Sequence, residues 1–124
     1  MPSILIVDDS AIVRTQVRKC LEEAGYGITE APDGRAALAA ATASAEAFDL
    51  VVTDLHMPGM DGLSLVEELR NEDVYAKTPI FVLTTETDTD VITRGREIGV
   101  TAWVTKPVQP DVLLNGVKLV LPPE

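Results

Sequence analysis

Four short apolar stretches of this chain run directly into groups capable of chemistry. Ile4-Leu5-Ile6-Val7 is followed by Asp8 and Asp9, Leu50-Val51-Val52 by Thr53 and Asp54, Ile80-Phe81-Val82-Leu83 by Thr84 and Thr85, and Ala102-Trp103-Val104 by Thr105 and Lys106. If those ends meet, three carboxylates, a hydroxyl and an ammonium share one small volume. Crowded carboxylates raise one another's pKa unless a cation lies among them. Oxygen-only donors, with no Cys or His cluster, select a hard divalent ion such as Mg²⁺ over Zn²⁺. A divalent ion, a lysine and a hydroxyl beside a spare carboxylate suit an incoming phosphoryl group. The carboxylate itself can then act as nucleophile and form an acyl phosphate.

Whether the groups meet depends on the elements that carry them. The four runs, with a weaker one near Ile28, are rich in Val and Ile and lack polar alternation, so they read as strands buried on both faces of a parallel sheet. Helical patterns lie between them. One opens after Ser10, carries Val13, Val17, Leu21 and Ala24 at three- and fourfold spacing, and ends at Gly25. A second, from Gly34 to Ala43, rests on alanine's high helix propensity. A third follows Asp61 with Leu65, Val66 and Leu69, and a fourth follows Asp88 or Asp90 and stops at Gly99. The fifth begins near Pro110 and is closed by Pro122-Pro123. Strand and helix alternate throughout, which right-handed crossovers turn into a doubly wound five-stranded α/β sheet with helices on both faces. Such sheets bind ligands beyond the carboxyl ends of their strands, where all the groups named above fall.

Composition limits the partners. The 124 residues, 46% of them apolar and 24% charged, predict one domain spanning 1–124. Twenty acidic residues against ten basic ones give a net charge of −10, which disfavours nucleic acid and anionic membranes. The single cysteine, Cys20, cannot form an internal disulfide, and the N-terminus lacks a secretory pattern, so a cytoplasmic location is expected. No apolar run approaches the roughly 18 residues of a spanning helix.

Taken together, Val7-Asp8-Asp9-Ser10, the segment Asp54-Leu55-His56-Met57-Pro58-Gly59-Met60-Asp61-Gly62, Thr84 and Lys106-Pro107 resemble the receiver domains of two-component signalling, most closely the single-domain chemotaxis CheY-like type. The resemblance covers nearly the whole chain and implies a flavodoxin-like fold. It implies that Asp54 accepts a phosphoryl group from a sensor histidine kinase. Asp9, Asp54 and the backbone carbonyl of His56 would bind Mg²⁺ directly, with Asp8 helping through water. Thr84 and Lys106 would contact phosphoryl oxygens, Lys106-Pro107 would be a cis peptide, and Thr84 with Trp103 would form the switch. With no output domain expected, the output would be protein binding, to a flagellar motor switch protein or another downstream protein. A phosphate sink or phosphorelay intermediate would look much the same.

Departures from the common pattern stand at Trp103, where Tyr or Phe is more usual, at Val108, where Phe often follows Lys-Pro, and at Thr85, where a small residue is usual. His56 and Glu86 match positions that tune acyl phosphate hydrolysis. Plainer roles exist for most of these residues. Asp8 and Asp9 could cap the first helix, although Ser10 suffices; Thr84 and Trp103 could be ordinary strand residues; the side chain of lone His56 reads as solvent-exposed. The competing class is an enzyme, a Mg²⁺-dependent aspartate-nucleophile phosphatase. Such sites usually repeat an acid two residues after the nucleophile, where this chain has His56, so a non-enzymatic switch is expected. A flavin-type module would need a phosphate-cradling loop after the first strand, and Asp8-Asp9 has the wrong charge for that.

Overall fold

In a computed structural model of the chain, which describes residues 2–85 and 87–121, five strands and five α-helices alternate. The order is β1 (Ser3–Val7), α1 (Ala11–Glu23), β2 (Gly27–Ala31), α2 (Gly34–Ala43), β3 (Leu50–Asp54), α3 (Gly62–Arg70), a 3-10 turn (Asp73–Tyr75), β4 (Ile80–Thr84), α4 (Thr89–Ile98), β5 (Ala102–Thr105) and α5 (Pro110–Val120). The strands are parallel and lie side by side as β2-β1-β3-β4-β5. This is the doubly wound sheet expected from the apolar runs.

Successive strand side chains point to opposite faces, which divides the apolar residues into two cores. Leu5, Val7, Val51, Ile80 and Val82 pack under Leu65, Val66 and Leu69 of α3 and Ala37 and Ala41 of α2. Ile4, Ile6, Leu50, Val52, Phe81 and Leu83 pack under Val17 and Leu21 of α1 and Leu113 and Val117 of α5. The interior strands β3 and β4 are buried along their whole length. The expectation of burial on both faces fails at the ends of the sheet. β2 and β5 have a neighbour on one side only, and most of their residues are partly exposed.

Helix starts follow their capping residues. The side chains of Ser10, Asp33, Asp61 and Asp88 accept from the backbone N–H of Val13, Ala36, Ser64 and Asp90, each contact worth about 1 kcal/mol. Asp88 thus resolves the choice of cap for α4. Gly25 at φ +98° and Gly99 at φ +105° close α1 and α4 in the left-handed region that Cβ disfavours. The last helical residue of α5 is Val120, and Pro122-Pro123 lies outside the described residues.

The 3-10 turn gave no sequence signal. It places Tyr75 fully inside, where its hydroxyl donates to the Ala41 carbonyl at 2.9 Å and accepts from Phe48 N–H at 3.2 Å. At the amino edge of the sheet, Gly27 N–H donates to Pro2 O at 2.9 Å and Tyr26 Oη donates to Leu121 O at 2.6 Å. The two described ends of the chain therefore meet at one turn, away from the carboxyl edge.

Candidate functional site

At the carboxyl edge, the polar strand ends converge. Asp8 follows β1 and is completely buried, Asp54 ends β3 at 6% exposure, Thr84 ends β4 at 5%, and Lys106 follows β5. Asp9, next to Asp8, is exposed. One carboxylate oxygen from each of Asp8, Asp9 and Asp54 lies within 4.8 Å of the others. The Lys106 ammonium reaches into this group, with Nζ 2.9 Å from Asp54 Oδ1 and 3.4 Å from Asp8 Oδ2. Parallel register explains the meeting. Val7 pairs with Thr53, Asp54 with Leu83, and Thr84 with Thr105, so the first residues past each run emerge at one level.

Backbone donors fix the carboxylates. Ser10 N–H donates to Asp8 Oδ1 at 2.8 Å, and Leu55 N–H donates to Asp54 Oδ1 at 2.9 Å. Burial raises the Asp8 pKa above its ordinary 3.8, and the charge of Asp54 adds to the rise; the Ser10 N–H and Lys106 oppose it. Burial works against the Lys106 ammonium, but its hydrogen bond to Asp54 and the charges of Asp54 and Asp8 outweigh that cost and hold its pKa above 10.5. The pocket thus holds more negative charge than one lysine balances. A hard divalent cation fits this donor set, since all three acidic ligands offer oxygen and stand close enough to share one ion.

Two glycines shape the surroundings. Gly62 opens α3 where a Cβ would stand 2.3 Å from the Asp54 carbonyl oxygen, so the helix start can lie against β3 only without a side chain; its N–H donates to Leu55 O at 2.8 Å. Gly95 of α4 is buried, and a Cβ there would lie 2.3 Å from Cζ2 and 2.9 Å from Cη2 of Trp103. The indole is therefore seated in a notch on α4, packed against the core beneath α2 and α3 and outside the carboxylate cluster. The larger ring at this position, flagged in the sequence as a departure, has its counterpart in a missing side chain eight residues earlier. In the sequence, Gly62 stands inside the Asp54–Gly62 segment with no evident role, and Gly95 and Arg14 carry no local signal.

His56 has an exposed side chain, Thr85 is exposed, and Val108 is partly buried against the α1–α5 core. Lys106-Pro107 is a cis peptide, as expected. Glu86 lies outside the described residues. Among the described residues, no helix is long and apolar enough to cross a membrane.

A five-stranded parallel sheet carrying an acidic triad and a lysine beyond its carboxyl edge defines a receiver, and comparison with known proteins agrees. Residues 4–118 match the response regulator receiver domain, and the chain belongs to that family. It is of the CheY-like type. Chemotaxis protein CheY1 of Helicobacter pylori is 33% identical, the match covering 95% of each chain. The solved structure of chemotaxis protein CheY4 of Vibrio cholerae superposes with a TM-score of 0.91 at 40% identity, covering 98% of this chain and 99% of that one. The phosphate regulon transcriptional regulatory protein PhoB of Pseudomonas aeruginosa is 34% identical over 96% of this chain. The chain spans only about half of PhoB and of several other curated relatives. As a receiver it is a signalling module of two-component systems.

Proposed function

We propose that the chain is a phosphorylation switch in which Asp54 accepts a phosphoryl group from a sensor histidine kinase and the modified protein then binds a downstream protein, in chemotaxis and in the cytoplasm. One observation carries this reading: the Lys106 ammonium stands 2.9 Å from Asp54 Oδ1 inside a cluster of three carboxylates. Asp54 attacks phosphorus as the N–P bond of the donor histidine breaks, and the electron pair leaves with the imidazole. Lys106 holds one oxygen of the transferred group and Thr84 donates to another, countering charge as it builds.

Asp9, Asp54 and the His56 carbonyl would hold Mg²⁺ directly, with Asp8 acting through water; the ion supplies Lewis-acid neutralisation of phosphoryl charge. Asp8 and Asp9 keep negative charge beside Asp54, so without a cation they resist an incoming phosphate. Thr84 and Trp103 would couple the modified site to the surface formed by α4, β5 and α5.

The test is intact mass after exposure to a small acyl phosphate donor with Mg²⁺. A gain of one phosphoryl group in the wild type and none in Asp54→Asn supports the assignment. Equal, equally stable labelling of both proteins ends it.

A further inference from the structure

Arg14, in the first turns of α1, has no part in the chemistry above, yet it touches the backbone of the pocket. Its guanidinium Nη1 donates to the main-chain oxygen of Asp8 at 2.5 Å. Its Nε donates to Glu30 Oε1 of β2 at 3.3 Å. The other Glu30 oxygen accepts from Arg18 Nη1 at 2.6 Å, and Arg18 Nε donates to Glu22 at 3.0 Å. A chain of alternating charges therefore runs from the α1 surface to Asp8. Its inner members are largely covered, with Arg14 18% and Glu30 26% exposed.

The oxygen that Arg14 holds belongs to the peptide joining Asp8 to Asp9. Movement of that peptide would shift the stretch of backbone from which both carboxylates project. Their mutual repulsion, and their repulsion from Asp54, favour such a movement when no cation is present. On the other side, Asp8 N–H is tied to Ala31 O at 3.2 Å, and the carboxylate is tied to Ser10 N–H. Arg14 completes this set of restraints, and Glu30 aims Arg14.

We propose that Arg14 is a positioning residue for the acidic pocket: it locks the Asp8–Asp9 peptide so that the carboxylates keep the spacing a divalent cation needs, with Glu30 setting its orientation. This rests on the reading of the pocket as a Mg²⁺-dependent phosphoacceptor site. Groups that orient metal ligands from behind typically account for 10–100-fold in affinity.

The experiment is calorimetric titration of the full chain with Mg²⁺ alone, paired with urea unfolding of each variant. Arg14→Met keeps much of the stem and removes the charge, and its Kd for Mg²⁺ is expected to rise about tenfold. Glu30→Gln should move Kd in the same direction by less, and Arg14→Lys should recover part of the loss. Phosphoryl uptake by Arg14→Met should return towards the wild-type rate at saturating Mg²⁺, since the defect lies in holding the ion. A merely structural ion pair would lower the unfolding midpoint and leave Kd unchanged, and that result overturns the proposal. If Arg14→Met does not fold, Glu30→Gln and Arg14→Lys decide, and a wild-type Kd in both overturns it equally. A wild-type protein that binds no Mg²⁺ would instead sink the underlying reading of the site.

Discussion

The carboxylate pocket and the Trp103–Gly95 seam lie at opposite ends of the same proposed switch and are built on opposite principles. In the pocket, like charges are forced together by strand register and restrained by backbone donors, Lys106 and Arg14. At the seam, an aromatic ring fills a notch left by an absent side chain, and shape alone decides the fit. In the proposed switch, the pocket is the end that arriving charge would change. A ring that turns away from Gly95 gives up its close contacts with the notch, which opposes the movement. A signal passing from one to the other should therefore move α4 and the indole together.

The sharpest break of this contrast is at Asp54. Asp54→Asn should abolish phosphoryl uptake from a small acyl phosphate, read by intact mass, and leave the seam intact, read by near-UV dichroism of Trp103. Next in size, Lys106→Met should slow uptake by about a hundredfold, the scale for removing a preorganised donor to developing charge. Because the Lys106 pKa is raised, its contribution to stability is complete below 10.5 and fades as pH rises through the folded value. The methionine variant should lose that alkaline component of the unfolding curve.

At the seam the sign of a single methyl group should depend on the ring. Gly95→Ala should destabilise the wild type by about 2 kcal/mol through overpacking against Trp103. In a Trp103→Phe background, where the outer ring atoms are gone, the same change should become neutral or stabilising, since alanine in a helix is favoured over glycine by about 1 kcal/mol. Urea unfolding of the four proteins completes the cycle. Equal effects in both backgrounds would show that ring and notch are not coupled.

The smallest effect is expected from Asp8→Asn in the absence of Mg²⁺. A raised carboxyl pKa means that protonated Asp8 favours the fold, a contribution present below 3.8 and lost as pH climbs through the folded value. At neutral pH the buried anion opposes folding, so the asparagine variant should be the more stable protein there, with a flatter dependence of unfolding midpoint on pH. It should also bind Mg²⁺ less well. The pocket thus trades stability for chemistry, and the seam makes no such trade.

How legible each region was in the sequence follows from the same difference. Asp8, Asp9, Asp54, Thr84 and Lys106 could be read because each is the first or second residue past a short apolar run, and parallel strands of similar length bring such positions to one edge. Helix limits were readable where capping residues stood, as at Ser10, Asp61 and Gly99. Burial of β2 and β5 was misjudged because strand order, and hence which strands lie at the edge, leaves no local mark. The turn at Asp73–Tyr75 is too short for periodicity and is held by a hydroxyl bonded to residues far along the chain. Arg14 reads as one more polar residue on a helix face until the path of the Asp8 backbone is known. Gly95 and Trp103 sit on different elements, and only their contact gives the glycine a purpose.

The turn at Tyr26 and Gly27 gathers Pro2 and Leu121 on the side of the sheet remote from Asp54. A reporter dye or affinity handle attached near either residue would stand clear of the acidic pocket. One anchored there could also serve as a fixed origin for testing whether α4 moves when Asp54 is modified.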